Sequence, residues 1–147
     1  AIAFGGICFW GPKLWGRSIS DKAATPLALL TLLAIGLDSV PYFVAGFADQ
    51  PAGLVNGFSY SGPQDLWNAL TCAGFVVMLL ASIAFIGLAL KSFTSGAVAG
   101  NDPWDGSTLE WATSSPPPED NFAGVIVVNS ATPLTDSKSA SSTGKVA

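Results

Sequence analysis

The chain has 147 residues, of which 50% are apolar and 11% charged, and its formal net charge at pH 7 is −4. Soluble domains usually carry about a quarter charged residues, so this composition argues against an ordinary water-soluble globular protein. The absence of histidine excludes imidazole-based catalysis, haem ligation by histidine and nearly all zinc or copper sites, and six basic residues against ten acidic ones exclude a basic nucleic-acid-binding surface.

The N-terminal segment is an apolar run of ten residues, which is too short to span a bilayer. No basic region precedes it, so it does not resemble a secretory signal peptide. We expect residues 1–12 to be the cut end of a preceding transmembrane helix that Gly11 and Pro12 close, with an interfacial segment or a signal-like stub as alternatives. Cys8 and the distant Cys72 both lie in apolar runs, which favours a packing role for each.

Two longer segments predict transmembrane helices. Between residues 23 and 48 the only charged side chain is Asp38, and residues 66–90 contain no charge in 25 positions. A helix of that length reaches about 37 Å, which is enough to cross a hydrocarbon core of about 30 Å. The fold class predicted is therefore an all-α membrane protein with two transmembrane helices, the cut end of a third, and an extended C-terminal tail.

The distribution of basic residues predicts the topology. Lys13, Arg17 and Lys22 precede the first span, Lys91 follows the second, and the loop at 49–65 between the spans contains no Lys or Arg. Because positive residues mark the cytoplasmic or matrix side, the C-terminal tail is expected inside.

Asp38 is a candidate intramembrane polar site. It lies roughly two-thirds of the way across the first span, and an intramembrane carboxylate costs about 2.5–3.5 kcal/mol on insertion scales, so it should face protein or water. Two interpretations stay open: a role in a proton path, and a hydrogen-bonded contact between helices.

The segment after the second span changes in composition and contains large apolar residues among turn-forming ones. Burial of one such side chain gains about 1.5–3 kcal/mol, so we expect this docking strip, residues 91–128, to pack on the face of a membrane protein. The alternative is a Pro-rich ligand for a separate module. The candidate docking residues are Trp104, Leu109, Glu110, Trp111, Pro116, Pro117, Pro118, Asn121 and Phe122.

The predicted organisation divides the chain into seven segments. In chain order they are the end of a helix (1–12), an inside loop (13–22), a transmembrane helix (23–48), an outside loop (49–65), a transmembrane helix (66–90), the inside-facing docking strip (91–128) and a disordered tail (129–147). The tail is expected to be disordered because Ser, Thr, Ala and Lys dominate it.

The docking strip also carries a family resemblance. Asp102-Pro103-Trp104, Thr108 to Trp111, Ser115 to Pro118 and Asn121-Phe122 resemble the C-terminal signature of subunit I of haem-copper respiratory oxidases, which is found in cytochrome c and quinol oxidases. Upstream, the run from Gly5 to Arg17 is similar to the end of the family's tenth helix and its inside loop. The two spans would then be helices eleven and twelve of that family.

The resemblance implies a parent protein that reduces dioxygen to water at a haem-copper centre and pumps protons. The family's metal ligands are histidines in helices that would precede Ala1, so no haem or copper is expected to bind to this chain alone. The family's outside loop usually carries two adjacent arginines after a proline, whereas this sequence has Ala52 and Gly53 after Pro51. Together with Tyr42 after Pro41, this departure indicates divergence near the outside face.

Three functions follow as hypotheses. In the first, the chain is the C-terminal part of the catalytic subunit I, structural within it, whose partners are the remaining helices of subunit I, other oxidase subunits and the lipid bilayer of a bacterial plasma membrane or mitochondrial inner membrane. In the second, it is a non-catalytic two-span accessory or assembly subunit. The third, a channel or transporter fragment, rests on Asp38 alone.

Overall fold

The computed structural model describes residues 1–51, 62–122 and 128–143, which are mostly helical. They divide into two compact units, one formed by residues 21–88 with Ala1 and the other by residues 2–20 with the described residues from 89 onward. The elements are α1 (Ile2–Trp15), β1 (Arg17–Ser18), α2 (Asp21–Phe47), α3 (Gln64–Ser95), β2 (Ala97–Val98), a 3-10 turn (Leu109–Trp111) and α4 (Pro133–Thr143).

The first unit consists mainly of α2 and most of α3, which are long and apolar enough to cross a membrane. The helices have 27 and 32 residues, and at about 1.5 Å per residue both exceed the thickness of a hydrocarbon core. Only 17% of the most apolar window of each helix is buried within the chain, unlike the core helix of a soluble protein. The prediction of two helices that could span a membrane is confirmed.

Small residues set the distance between α2 and α3. Ala34, Ala45 and Ala81 are at most 1% exposed. A Cβ atom added at Gly74 would lie 2.7 Å from the carbonyl carbon of Leu37 and 2.9 Å from the carbonyl oxygen of Ala34. The backbones therefore approach closely at Gly74, as small residues allow in membrane helices.

Polar side chains join α2 and α3 at the end where the connecting loop begins. The Gln50 amide donates to Asn68 Oδ1 at 2.9 Å, and the Gln64 amide donates to the carbonyl oxygen of Ala48 at 3.4 Å. The central part of the predicted outside loop, residues 52–61, lies outside the described residues.

Helix α1 ends later than the sequence predicts. The expected end at Gly11-Pro12 is wrong, because the helix continues to Trp15 with Pro12 fully buried. The helix ends at Gly16, whose φ of +75° is the left-handed conformation that glycine adopts at helix C-termini, and whose amide donates to the Pro12 carbonyl at 3.0 Å. The 14 residues of α1 cover about 21 Å, and a longer helix of which α1 is the end stays a prediction.

A short antiparallel ladder follows α1. Strand β1 pairs with β2, with Arg17 opposite Val98 and Ser18 opposite Ala97. The Ala99 amide continues this pairing by donating to the Gly16 carbonyl at 2.9 Å. The start of the docking strip is thus paired through its main chain with the segment that follows α1.

The prediction of a disordered tail from residue 129 is wrong for Pro133–Thr143, which forms α4. Proline at the first position and Asp136 in the first turn both favour a helix N-terminus. Pro133 is buried, and the Leu134 amide donates to the Ser107 carbonyl at 3.1 Å. Residues 144–147 lie outside the described residues.

Candidate functional site

Two tryptophans of the docking strip contact the same residue of α1. The ring of Trp104 stacks on Phe9 with centroids 5.9 Å apart, and Trp111 meets Phe9 edge to face at 5.2 Å. Trp104 also donates its indole N–H to the Phe9 carbonyl oxygen at 2.9 Å. Trp111 is only 4% exposed, so its side chain forms the centre of this contact.

Lys13 in the last turn of α1 joins the helix to the docking strip through its ammonium group. Nζ donates to the carbonyl oxygens of Asn101 at 3.0 Å and Thr113 at 2.5 Å, and it lies 5.8 Å from the centre of the Trp111 ring. The residue is only 4% exposed. A buried ammonium needs such partners, because desolvation without them is costly.

Burial dominates the electrostatics of Lys13. Desolvation lowers the pKa of its ammonium below the usual value, and the negative charges of Asp102 and Glu110 act in the opposite direction. Glu110, a predicted docking residue, is exposed in the 3-10 turn. Its negative charge acts to raise the pKa of Lys13.

The segment after α1 provides further contacts with the docking strip. A Cβ atom at Gly16 would lie 2.9 Å from the Ser115 carbonyl oxygen and 3.0 Å from Pro116 Cδ, so only glycine allows this approach. Arg17 donates from Nη1 to the Gly96 carbonyl oxygen at 2.8 Å. Along the chain, Gly96 precedes the two tryptophans and Ser115 follows them. These contacts therefore fix the main chain of the docking strip before and after the aromatic contact.

Two of the other predicted docking residues, Pro118 and Asn121, have hydrogen bonds within the docking strip. The main-chain amide of Asn121 donates to the Pro118 carbonyl oxygen at 3.0 Å, and the Thr113 hydroxyl donates to the main-chain carbonyl oxygen of Asn121. The side chains of the remaining four differ in exposure: Leu109, Pro117 and Phe122 are half-buried, whereas Pro116 is exposed.

Sequence reasoning missed an ion-pair cluster formed by Lys138 of α4. Its ammonium donates to Asp102 at 2.5 Å, to Asp105 at 2.7 Å and to the Gly106 carbonyl at 3.1 Å. The Gly106 amide in turn donates to Asp102 Oδ1 at 2.7 Å. The aspartates, separated by two residues and followed by glycine, signal a turn, but no local signal identifies a lysine more than thirty residues away.

The two charged partners stabilise each other's ionised forms. Desolvation acts to raise the pKa of Asp102, but the hydrogen bonds from Lys138 and Gly106 and the nearby positive charges outweigh it and lower that pKa. Hydrogen bonds to Asp102 and Asp105 raise the pKa of Lys138.

Asp38 lies in an open groove of the first unit. The groove has a volume of about 670 Å³ and is lined by Asp38, Ser39, Tyr42, Phe43, Gly46, Phe47 and Thr71. The Asp38 carbonyl accepts a hydrogen bond from the Thr71 hydroxyl at 3.3 Å, and its side chain is half-buried.

The donor atoms of the chain do not fit a haem or copper ligand set. The implied ligands are histidines, of which the sequence has none. Within residues 1–51, 62–122 and 128–143, no three His, Cys, Asp or Glu side chains are grouped so that they could hold a metal ion.

No family model matches the chain, but the individual proteins that it resembles are oxidase subunits. It is 35% identical over 128 residues to the heme-copper oxidase subunit I+III of Aeropyrum pernix. It is 30% identical over 125 residues to the cytochrome c oxidase subunit 1 of Thermostichus vulcanus, and 31% identical over 124 residues to a probable cytochrome c oxidase subunit 1 of Bradyrhizobium diazoefficiens.

The chain is homologous to the C-terminal portion of haem-copper oxidase subunit I. The three matches cover 84%, 85% and 82% of the chain but only 15%, 22% and 18% of the respective relatives. The chain thus spans about a fifth of the length of these curated relatives. Together with its two apolar helices, this homology indicates a protein of an energy-coupling membrane.

Proposed function

We propose that the chain is the C-terminal part of the catalytic subunit I of a proton-pumping haem-copper terminal oxidase, and that its role within that subunit is structural. Homology over more than four-fifths of the chain supports this assignment. The parent enzyme reduces dioxygen to water in aerobic respiration. Haem and copper are held by residues of the parent complex, since the described part of this chain has no suitable ligand set.

The observation that carries the structural role is the attachment of the docking strip to α1. Phe9 and Lys13 together bind Trp104, Trp111 and two main-chain carbonyls. In this proposal α2 and α3 complete the helix ring of subunit I, and the docking strip covers its inside face. The C-terminus lies inside, as the basic residues on either side of the spans indicate.

Co-purification tests the proposal. The full chain, tagged and expressed with the other oxidase chains, should co-purify with a chain that has haem absorbance bands, and deletion of the tagged chain should abolish those bands. Survival of the oxidase spectrum without the chain would refute the proposal and favour the alternative, a non-catalytic two-span accessory or assembly subunit.

The contribution of the docking strip is tested by Trp111→Ala. Loss of a buried tryptophan costs about 3–5 kcal/mol, so the yield of haem-containing complex should fall while membrane insertion, measured by carbonate extraction, stays unchanged. Trp111→Phe, which keeps an aromatic ring against Phe9, is the matched control and should retain most of the yield. An unchanged yield for the alanine variant would show that the strip does not support assembly.

A further inference from the structure

The contacts of α4 with the docking strip centre on one turn, residues 102–106, which we call the Asp102 turn. The Lys138 ammonium donates to both aspartates of this turn and to the Gly106 carbonyl oxygen, at distances of 2.5, 2.7 and 3.1 Å. The Leu134 amide donates to the Ser107 carbonyl oxygen, one residue beyond the turn, at 3.1 Å. Helix α4 is therefore attached to the strip by one side chain and one main-chain amide.

The Asp102 side chain also closes the turn to which α4 is attached. Its Oδ1 atom accepts a hydrogen bond from the Gly106 amide at 2.7 Å, while Oδ2 pairs with the Lys138 ammonium at 2.5 Å. Asp105, between them in the turn, has a φ of +51°, a left-handed conformation that few residues other than glycine adopt. Such a conformation persists when surrounding contacts hold it, so the same carboxylate closes the turn and binds α4.

The Asp102 turn packs directly against the buried ring of Trp111. A Cβ atom added at Gly106 would lie 2.7 Å from Cγ of that ring and 2.8 Å from its Nε1 atom. The same ring contacts Phe9 and lies 5.8 Å from the Lys13 ammonium. Movement of the turn therefore changes the packing of the tryptophan that attaches the strip to α1.

A second connection between the Asp102 turn and α1 runs through the main chain. The Lys13 ammonium donates to the carbonyl oxygen of Asn101 at 3.0 Å, and Asn101 directly precedes Asp102. Two ammonium groups from different helices thus bind adjacent residues of the docking strip, and the negative charge of Asp102 acts on both. Each lysine favours the arrangement of the strip that the other one binds.

We infer that α4 stabilises the attachment of the docking strip to α1 at a distance, by fixing the Asp102 turn, and that release of α4 loosens this attachment. The α4 contacts that carry this inference are with the strip and not with α1, so the effect is a coupling between two contacts. Such a coupling is reciprocal, so loss of the α1 contact should also loosen α4. The inference does not depend on the proposed function, because it concerns contacts within this chain.

The coupling should respond to salt, because its two ends differ in exposure. The side chains of Lys138 and Asp105 are 40% and 93% exposed, and added salt weakens ion pairs of this kind. Lys13 is 4% exposed and donates to main-chain carbonyl oxygens, so salt has little direct effect on it. High salt should therefore loosen the strip from α1 by acting through α4.

Amide hydrogen exchange, measured by NMR on the full chain in mild detergent, tests the coupling. The Leu134 amide reports on α4, and the amides of Trp111 and Ala112, which donate to carbonyl oxygens of the 3-10 turn, report on the strip. Lys138→Met should speed exchange at Leu134 and, through the coupling, about fivefold at Trp111 and Ala112. By reciprocity, Lys13→Met should speed exchange at Leu134 by about the same factor.

Two variants and one titration serve as controls. Lys91→Met removes the same charge from an exposed lysine and should leave exchange at Trp111 unchanged, whereas Lys138→Arg keeps the charge and the donors and should retain most of the protection. Raising NaCl from about 0.05 M to about 1 M, which shortens the screening length severalfold, should speed exchange at Trp111 in the unaltered chain but not with Lys138→Met. Helix content measured by circular dichroism checks that each variant still folds.

Three results would overturn the inference. Faster exchange at Leu134 alone with Lys138→Met would show that α4 is attached independently of the α1 contact. Equal acceleration at Trp111 by Lys91→Met would show a general effect of charge, and a salt effect at Trp111 that persists with Lys138→Met would show that salt does not act through α4. Acceleration at Trp111 that requires the loss of Lys138, with the reciprocal effect of Lys13→Met at Leu134, supports the coupling.

Discussion

Substitution of Gly74 by alanine should separate α2 from α3. The added Cβ atom would meet main-chain atoms of Leu37 and Ala34 at 2.7 and 2.9 Å, whereas ordinary contacts of this type begin at 3.4 Å. Because main-chain atoms of a helix cannot rotate away, the helices must move apart by at least about 0.7 Å. Overpacking of this kind costs about 1–3 kcal/mol, so the free energy of unfolding of the helix pair should fall by that amount.

Gly87→Ala is the matched control on the same helix. A Cβ atom there meets nothing within 4 Å, and alanine is a better helix former than glycine by about 1 kcal/mol. Unfolding of the full chain in mild detergent by added SDS, followed by near-ultraviolet circular dichroism, should show a lower midpoint for Gly74→Ala and an equal or higher midpoint for Gly87→Ala. Equal shifts for the two variants would refute the close approach at Gly74.

Two further predictions concern the charged contacts of the second unit. Lys13→Met should destabilise the attachment of the docking strip and so increase cleavage of the strip by protease. Lys91→Met, which replaces an exposed lysine, is the control and should leave cleavage unchanged. Equal cleavage of the two variants would argue against the ammonium contacts of Lys13. The ion pair of Lys138 with Asp102 should stabilise α4 between about pH 4 and 10, since the pKa of the carboxyl is lowered and that of the ammonium raised. This stability should be lost as the pH falls through the folded-state pKa of Asp102 or rises through that of Lys138, and chemical shifts of α4 that do not change across the acid range would contradict it.

The two long helices could be predicted because apolar residues dominate at least 25 consecutive positions of each, which outweighs Asp38, Pro26 and Pro41 within α2. The structure places both helices over the predicted segments. The end of α1 was harder to predict, because proline breaks a helix in most contexts and Pro12 lies three residues before the end. Here its ring is fully buried, and Gly16 supplies the left-handed turn that ends the helix.

The partners within the candidate site could not be predicted from local sequence. The size of Trp111 indicates that it should be buried, but the choice of Phe9 and Lys13 as its neighbours depends on contacts about a hundred residues apart. Helix α4 was missed for a related reason. Its composition is polar, and its contacts with the docking strip are made by Lys138 and by the main-chain amide of Leu134, which no local pattern identifies.

The sequence separation of the contacts between α1 and the docking strip has a consequence for biogenesis. The hydrogen bonds of Lys13 and Trp104 join residues 88 to 100 positions apart. At a synthesis rate of about 5–20 residues per second, the ribosome releases Phe9 and Lys13 roughly 5–20 s before their partners emerge. Throughout that interval the Lys13 ammonium group and the Phe9 ring must be solvated or bound by an insertion factor. Such a factor should therefore capture nascent chains that are stalled before residue 113.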